Sequence, residues 1–544
     1  MPPAPRRLAG PQTPEQLASA IEEFISEHPL AVVLEDGRVL FDFRDAKYSL
    51  SAEHKRCTLH LWNEERNFVR RVVSTELRNG VLRLATMRFG QARPQTLELA
   101  ADRDRRTPST REAARKKYLR VLERVLLRQF PDWKAENFRA AMDLEKSFGP
   151  AYARGVLVRG QQAWAVIAVN ADETQATIDG ILTLGILWLV DCREVGSGKR
   201  VFQGLRVIVP RGCGALTLLR LAWLNPKAAQ WELWELDERS EELEQRDAAD
   251  SGNLATKLIH APNENAARER FAAAAEKVMT LVPPAMRESV EQHVRSATEI
   301  AFLLHGLEFA RARMGLSANS FERVLEITFG AGANETALSP ENETELRELV
   351  QRLFESRSAE NKSGVAKNPL YRMQPERWLE SMLRKDVSVL SGALGPKLDA
   401  RHVYAQVPAF AASDRGMLDL LAVADDGRLA VIELKADEDL HLALQGLDYW
   451  VRVRWHHMQL PVYSGQNATT GLGEFQRHGY FPGVRLSPDP PRLFLVAPSL
   501  RIHPATEVVL KHLKPEVEWT LAALDERWRR EVKVVWRKHS RERA

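Results

Sequence analysis

The amino-acid sequence predicts a multi-domain protein of the α/β class, and three observations carry this. The chain has 544 residues, too many for one hydrophobic core; at roughly 100–200 residues per domain it should hold about three or four. Alternating apolar and polar runs crowd the N-terminal hundred residues, whereas the C-terminal third alternates strand-like runs with amphipathic helical ones. The stretch Arg492 to Ala497 is apolar after its first residue, as expected of a strand covered on both faces.

Taken in order, a Pro-rich start leads to a helix for which Thr13-Pro14-Glu15 supplies a cap and first turn. Residues 31–40 read as a hairpin around Asp36-Gly37. Strand-like runs follow at Cys57 to Trp62, Phe68 to Ser74, Val81 to Met87 and Thr96 to Leu99. Residues 1–108 are thus an N-terminal β-rich domain. Residues 109–147 read as helical, and 150–240 as mixed α/β, so 109–240 forms an α/β domain. Residues 241–354 read as a helical middle region, with an Ala-rich run at Ala266 to Lys277 and an apolar stripe from Ser296 to Met314. Residues 355–370 are polar and turn-forming, and serve as a linker.

The last domain, 371–544, reads as a mixed central sheet flanked by helices. Its helices are Glu376 to Leu390, preceded by Pro375, then His441 to Trp455 and Ala505 to Leu513. Its strands are His402 to Pro408, Gly416 to Ala424, Arg428 to Lys435, Arg492 to Ala497, and runs near 518–524 and 532–537.

Composition narrows the function classes. Hydrophobic residues make up 44% and charged residues 28%, ordinary for a soluble globular protein. The net charge of +4 is small for this length, so any basic binding surface must be local. Cys57, Cys192 and Cys213 have no paired spacing, which excludes a disulfide framework and a cysteine zinc site and fits a reducing cytoplasm. The N-terminus lacks the apolar core of a signal peptide. The most apolar run, Ile178 to Val190, falls short of the roughly 20 residues a membrane span needs, so no membrane partner is expected.

The chemistry concentrates in the C-terminal strands. Alternation puts Glu433 and Lys435 on one face, where a buried strand emerges. Asp419 lies among Met417, Leu418, Leu420 and Leu421, where a lone carboxylate is costly unless paired or bound to a cation. If the two strands form a hairpin, Asp419 faces Glu433. Two converging carboxylates repel, and an oxygen-only set of this kind suits Mg²⁺ or Mn²⁺. Such an ion, with Lys435 beside it, fits phosphodiester hydrolysis.

Glu380 on a helix, Gly416-Met417-Leu418-Asp419, Glu433-Leu434-Lys435 and Gln445-Gly446-Leu447-Asp448-Tyr449 on the next helix together resemble the PD-(D/E)XK, restriction-endonuclease-like superfamily of nucleases. The flanking pattern is most similar to its repair and recombination members. Leu418 stands where the motif's proline would be. The resemblance covers residues 371–540 and implies a restriction-endonuclease-like α/β core. It implies Asp419 and Glu433 as ligands of Mg²⁺ or Mn²⁺, Lys435 as the catalytic lysine, and Glu380 as the supporting acid, with Glu376 its rival. Gln445 and Tyr449 would be the helix residues facing the site. The implied partner is nucleic acid, DNA before RNA, and a homodimer is admitted. The alternative is a non-catalytic nucleic-acid-binding or scaffold protein.

An echo of this domain lies upstream. Ala165-Val-Ile-Ala168-Val-Asn170 parallels Ala430-Val-Ile-Glu433-Leu-Lys435, and Arg154 to Val158 parallels Arg415 to Asp419. Ile178-Asp179-Gly180 parallels Leu444-Gln445-Gly446, Leu205 to Pro210 parallels Leu493 to Pro498, and Trp231 to Arg239 parallels Trp519 to Arg527. On these pairings Val158, Ala168 and Asn170 replace Asp419, Glu433 and Lys435, so residues 140–240 are expected to form a degenerate, catalytically dead nuclease-like copy. Adjacent His456-His457 point in different directions on a helix and lack a third ligand. The basic tail after Arg527 reads equally well as phosphate contacts and as a solvated terminus; the Arg and Lys among aromatics in 38–72 suit a grip on a nucleic-acid strand, but a plain half-buried sheet is the better reading there.

Overall fold

The computed structural model describes residues 12–540 except 36–37, 44–45, 53–55, 63–66, 79–80, 88–93, 102–107, 144–145, 197–198, 248–255, 317–322, 333–335, 358–368, 393–396, 411–416 and 459–472. The Pro-rich start, the Asp36-Gly37 turn, most of the 355–370 linker, Gly416 and the last four residues lie outside the described residues. Contacts divide the chain into Met1–Ala114 and Arg115–Ala544.

In the first unit, helix α1 (Pro14–Glu27) starts on a capping box between Thr13 and Gln16. It buries Leu17, Ile21, Phe24 and Ile25, one stripe at helical spacing. Strands β1 (Val32–Glu35), β2 (Arg38–Asp42), β3 (Lys47–Ser51), β4 (Cys57–Trp62), β5 (Asn67–Arg78), β6 (Val81–Met87) and β7 (Gln95–Ala100) form one antiparallel sheet ordered β2-β1-β7-β6-β5-β4-β3. The expected β-rich domain is present. The α1 stripe shares one core with Val33, Leu59, Leu61, Leu84 and Leu97.

Helix α2 (Pro108–Gln129) leads into the second unit. The helical reading of 109–147 holds only for its first part, because Lys134–Arg139 is a strand, β8. β9 (Tyr152–Arg159), β10 (Gln162–Val169), helix α3 (Gln175–Val195), β11 (Val201–Pro210), helix α4 (Ala215–Leu221), β12 (Gln230–Asp237) and β13 (Glu242–Arg246) follow. The sheet runs β13-β12-β11-β10-β9-β8, with β10-β11 and β11-β12 parallel and the rest antiparallel. α3 is the one helix among the described residues long and apolar enough to cross a membrane. It is longer than the apolar run read from sequence, but 61% of its apolar window is buried inside the protein. Gly185 lets it approach the sheet: a Cβ there would lie 2.9 Å from Leu205.

The expected helical middle region is corrected. After β14 (Lys257–Leu258), α5 (Glu264–Arg270) and α6 (Ala272–Leu281) come β15 (Val290–Ser296), β16 (Glu299–Leu304), β17 (Leu307–Leu316), β18 (Arg323–Phe329) and β19 (Thr336–Ala337). These last five form an antiparallel sheet. The stripe from Ser296 to Met314 is therefore a hairpin. His305 (φ 47°) and Gly306 (φ 73°) make its two-residue turn, with both residues left-handed as a type I′ turn requires. Ile300, Ala301 and Phe302 are all buried, so no two-residue period marks the strands. Helices α7 (Glu343–Ser356) and α8 (Pro369–Arg372) complete the region.

Helix α9 (Pro375–Lys385), β20 (Leu398–Phe410), β21 (Met417–Ala424), β22 (Leu429–Leu434), helix α10 (Leu442–His457), helix α11 (Glu474–Arg477), β23 (Arg492–Pro498), helix α12 (Pro504–Leu510), β24 (Trp519–Leu524) and β25 (Val534–His539) reproduce the expected order. β14 adds an edge strand, giving β14-β20-β21-β22-β23-β24-β25. Again the two central pairings, β22-β23 and β23-β24, are parallel and the others antiparallel. Apart from the short α11, β8 to β13 with α3 and α4 repeats in β20 to β25 with α10 and α12. One face of each sheet is covered by α2 or α9. The other faces share a single apolar core that draws on both sheets, α3, α4, α10 and α12.

The two halves meet with two-fold character. α3 packs on α12 and α10 on α4, the same contact exchanged. The segments after α4 and α12 run antiparallel across a bridge between Leu224 and Leu513. The Asn225 N–H donates to the His512 carbonyl (2.8 Å) and the Lys514 N–H to the Trp223 carbonyl (2.9 Å). One contact breaks the symmetry: Arg220 forks onto Asp448 at 2.9 and 2.7 Å, both side chains buried, and also donates to the Asp179 carbonyl.

Candidate functional site

The site forms where β22 ends beside the start of β21. Register pairs Leu420 with Ile432 and Leu421 with Val431, so continuing it sets Asp419 opposite Glu433 on one face. The Asp419 carboxylate accepts the Leu434 N–H at 2.8 Å, ending the hairpin ladder with a charged acceptor. Glu433 is 3% exposed. The Lys435 ammonium is 3.5 Å from Glu433, 3.9 Å from Glu376 and 3.8 Å from Asp439.

α9 brings Glu380 in from the other side. Arg377 donates to its carboxylate at 3.0 Å, and Gln406 of β20 donates to the same oxygen. Gln406 has φ 53°, a conformation uncommon without glycine. α10 lies close over Glu433 because Gly446 permits it. A Cβ on Gly446 would fall 2.4 Å from Leu495 and 3.6 Å from the Glu433 Cβ. Its neighbour Gln445 has a buried Oε1 without a hydrogen-bond partner. Tyr449, one turn on, is half-buried against the shared core, 5.7 Å from the Arg452 guanidinium.

Electrostatics follows from the crowding. Burial, then the Asp419 charge, holds Glu433 well above the usual carboxylate range. Burial and Glu380 push Asp419 up to about 6, against the pull of the Leu434 N–H and Lys435. Burial also raises Glu380, opposed by Arg377 and Gln406. Burial disfavours the Lys435 charge, but Glu433, Glu376, Asp419 and Asp439 outweigh it and raise its pKa. Two acids are thus destabilised as a pair, while one lysine is held charged beside them.

The structure brings together Asp419, Glu433, Lys435 and Glu380, with Gln445 flanking. It leaves Glu376 nearer Lys435 than its rank behind Glu380 implied. Gln406 and Asp439 were missed: a glutamine inside a strand and an acid in a Lys-Ala-Asp-Glu-Asp run carry no signal of their own. His456 and His457 point apart as expected, to Glu474 (2.9 Å) and to the Ser487 carbonyl (2.8 Å). Arg537 in the basic tail donates to the carbonyls of Val389 and Ser391.

An oxygen-ligated cation fits these residues. Glu433 Oε2 is buried with no hydrogen-bond partner, and such an atom costs about 1–3 kcal/mol or more when left unsatisfied. Among the described residues no group of three or more His, Cys, Asp or Glu is placed to hold one ion. Mg²⁺ ordinarily uses one or two carboxylates and keeps several waters, so a pair meets its need.

The earlier half has the same frame with different contents, and register corrects the pairings read from sequence. Ala165 pairs with Leu205 and Val431 with Leu493, so Ile167, not Ala168, occupies the place of Glu433. Val169 then stands for Lys435. Ile167 pairs with Arg154, which makes Arg154, not Val158, the counterpart of Asp419. The helix pairing shifts as well: Gly185 lies over Leu205 and Ile167 as Gly446 lies over Leu493 and Glu433, so Gly185, not Gly180, is the counterpart of Gly446, and Leu184, not Asp179, that of Gln445. Arg154 is 1% exposed, donates to the Ala141 carbonyl at 3.0 Å and lies over the Phe148 ring. The acid pair is thus replaced by a buried guanidinium and an isoleucine.

Comparison of the chain with protein-family profiles, curated proteins and solved structures returned no match. Fold and site together define a mixed α/β protein of several sheets, with a buried Glu433, a half-buried Asp419 and a lysine at the end of one of them.

Proposed function

We propose that the protein is a metal-dependent nuclease of the PD-(D/E)XK, restriction-endonuclease-like type, hydrolysing phosphodiester bonds in DNA. The observation that carries this is Glu433 Oε2, a buried carboxylate oxygen with no partner, on the face Asp419 shares and beside Lys435. Asp419 and Glu433 would hold Mg²⁺ or Mn²⁺. When bound, a divalent cation supplies Lewis acidity toward water and phosphate.

The chain's own groups do the rest. Lys435 sets a fixed positive charge where a scissile phosphate oxygen would come, and its Asp439 and Glu376 neighbours hold it there. Glu380, steadied by Arg377 and Gln406, orients Asp419 by repulsion and burial. Gln445, next to the Gly446 that lies over Glu433, has a buried amide oxygen without a hydrogen-bond partner. Tyr449 flanks it on the helix.

The test is incubation of the protein with linear, nicked, branched and single-stranded DNA, and with RNA, in Mg²⁺ or Mn²⁺. Glu433→Ala and Lys435→Ala should each lose at least about 100-fold in rate, the scale of removing one electrostatic group from a reaction centre. Equal silence of wild type and variants on every substrate would defeat the reading. The second reading, a non-catalytic nucleic-acid binder or scaffold, draws support from the inert first copy; DNA binding with no cleavage would favour it.

A further inference from the structure

The two-fold arrangement has one equipped site. On the reading of this protein as a nuclease, on which the inference rests, we propose that each binding event cuts one strand of duplex DNA only. The protein is then a nicking enzyme by construction.

The geometry points there in three steps. Duplex DNA has antiparallel strands related by local two-fold axes, so two sites related by a two-fold can each address one strand. Here β8 to β13 and β20 to β25 provide such a frame, joined through Leu224 and Leu513. Yet where Asp419, Glu433 and Lys435 stand in one half, Arg154, Ile167 and Val169 stand in the other. Ile167 and Val169 are at most 1% exposed and have no polar group to offer a cation or a phosphate. A buried guanidinium at the remaining position repels a cation. The second strand meets no acid pair.

A second active copy is not recruited through the same face, because that face is used within the chain. The shared apolar core covers it, and the Arg220–Asp448 pair fixes which half is its partner. Val508 is the counterpart of Arg220 and Leu187 that of Asp448, so neither half can form this ion pair with a copy of itself.

The chemistry balances without further reactants. Water adds to one phosphorus, one P–O bond breaks, and the leaving sugar oxygen takes a proton. One chain break results, and the opposite strand stays whole.

The experiment uses the full chain with supercoiled plasmid in Mg²⁺ at several protein concentrations. The expected result is near-complete conversion to open circles before linear DNA appears, at a rate first order in protein. A doubly end-labelled duplex should run intact on a native gel and lose one strand, not both, on a denaturing gel. Glu433→Ala should abolish nicking of either strand. Linear DNA formed directly from supercoil, or a rate rising with the square of protein concentration, would overturn the inference while leaving a nuclease. No cleavage of any DNA would remove the nuclease reading and the inference together.

Discussion

Asp419→Asn should make the metal-free protein more stable at neutral pH. An ordinary aspartate titrates near 3.9, and burial with Glu380 nearby pushes Asp419 up to about 6. The native state therefore holds this proton more tightly than the unfolded state. Stability is full when the carboxyl is protonated, falls as pH rises through the window between about 4 and about 6, and stays lowered above it. A difference of that size in proton affinity between the two states is worth about 3 kcal/mol, a ceiling because Asp419 is only half-buried. The amide does not titrate and can still accept the Leu434 N–H. Across a cooperative unit as long as Arg115–Ala544, that ceiling is a rise of about 3 °C in the unfolding midpoint. The assay is thermal unfolding of both proteins in chelator across this pH range. The midpoints should coincide near pH 4 and separate to a plateau above about pH 6. Adding Mg²⁺ should then favour the wild type alone. A variant less stable at pH 7, or a difference that ignores pH, would refute the reasoning.

Mg²⁺ affinity, followed by the midpoint rise at fixed metal, should strengthen from about pH 5 to about pH 8, because the cation displaces a proton from the raised acid pair; a flat profile would contradict the electrostatics. Gly446→Ala should cost about 1–3 kcal/mol by overpacking and slow cleavage, since its Cβ would lie 2.4 Å from Leu495; unchanged melting and activity would show that α10 can give way. Arg220→Ala should cost about 3–5 kcal/mol by leaving Asp448 buried and unpaired, whereas Arg220→Met with Asp448→Leu should recover most of it; both are read by thermal unfolding.

Much of the site was legible because its signals are local. Leu429 to Lys435 announces a buried strand ending in an acid and a base, and Asp419 contrasts with the leucines around it. What escaped depends on neighbours. Whether Glu433 corresponds to Ala168 or to Ile167 turns on one residue of register. Ala-Val-Ile repeats in both halves and matches equally well by eye, but β11 and β23 fix the choice. That single step exchanges faces. The hairpins differ as well: Arg159 pairs with Gln162, while Ala424 bonds to Arg428 around a turn one residue longer, and the shared Arg-Gly of Arg154-Gly155 and Arg415-Gly416 draws the match four residues away from the register. In the middle region both faces of β16 and β17 are covered, which erases strand alternation, and a His-Gly turn is a weaker sign than Asn-Gly.

The core shared by the two halves bears on how this chain is made and how it can be divided. Val156, Ile181 and Leu205 pack in the same cluster as Leu421, Leu447 and Leu493. A ribosome that has released the first half has not yet supplied the surface that covers it, so the side of α3 that meets α12 must wait until α12 is made. Contacts so distant in sequence slow folding and expose the nascent chain to aggregation. Residues 371–544 cut out alone would carry the acid pair and the lysine but an open apolar flank, and should come out insoluble. The inert half is then a permanent intramolecular companion, and the equipped half is not a portable cassette.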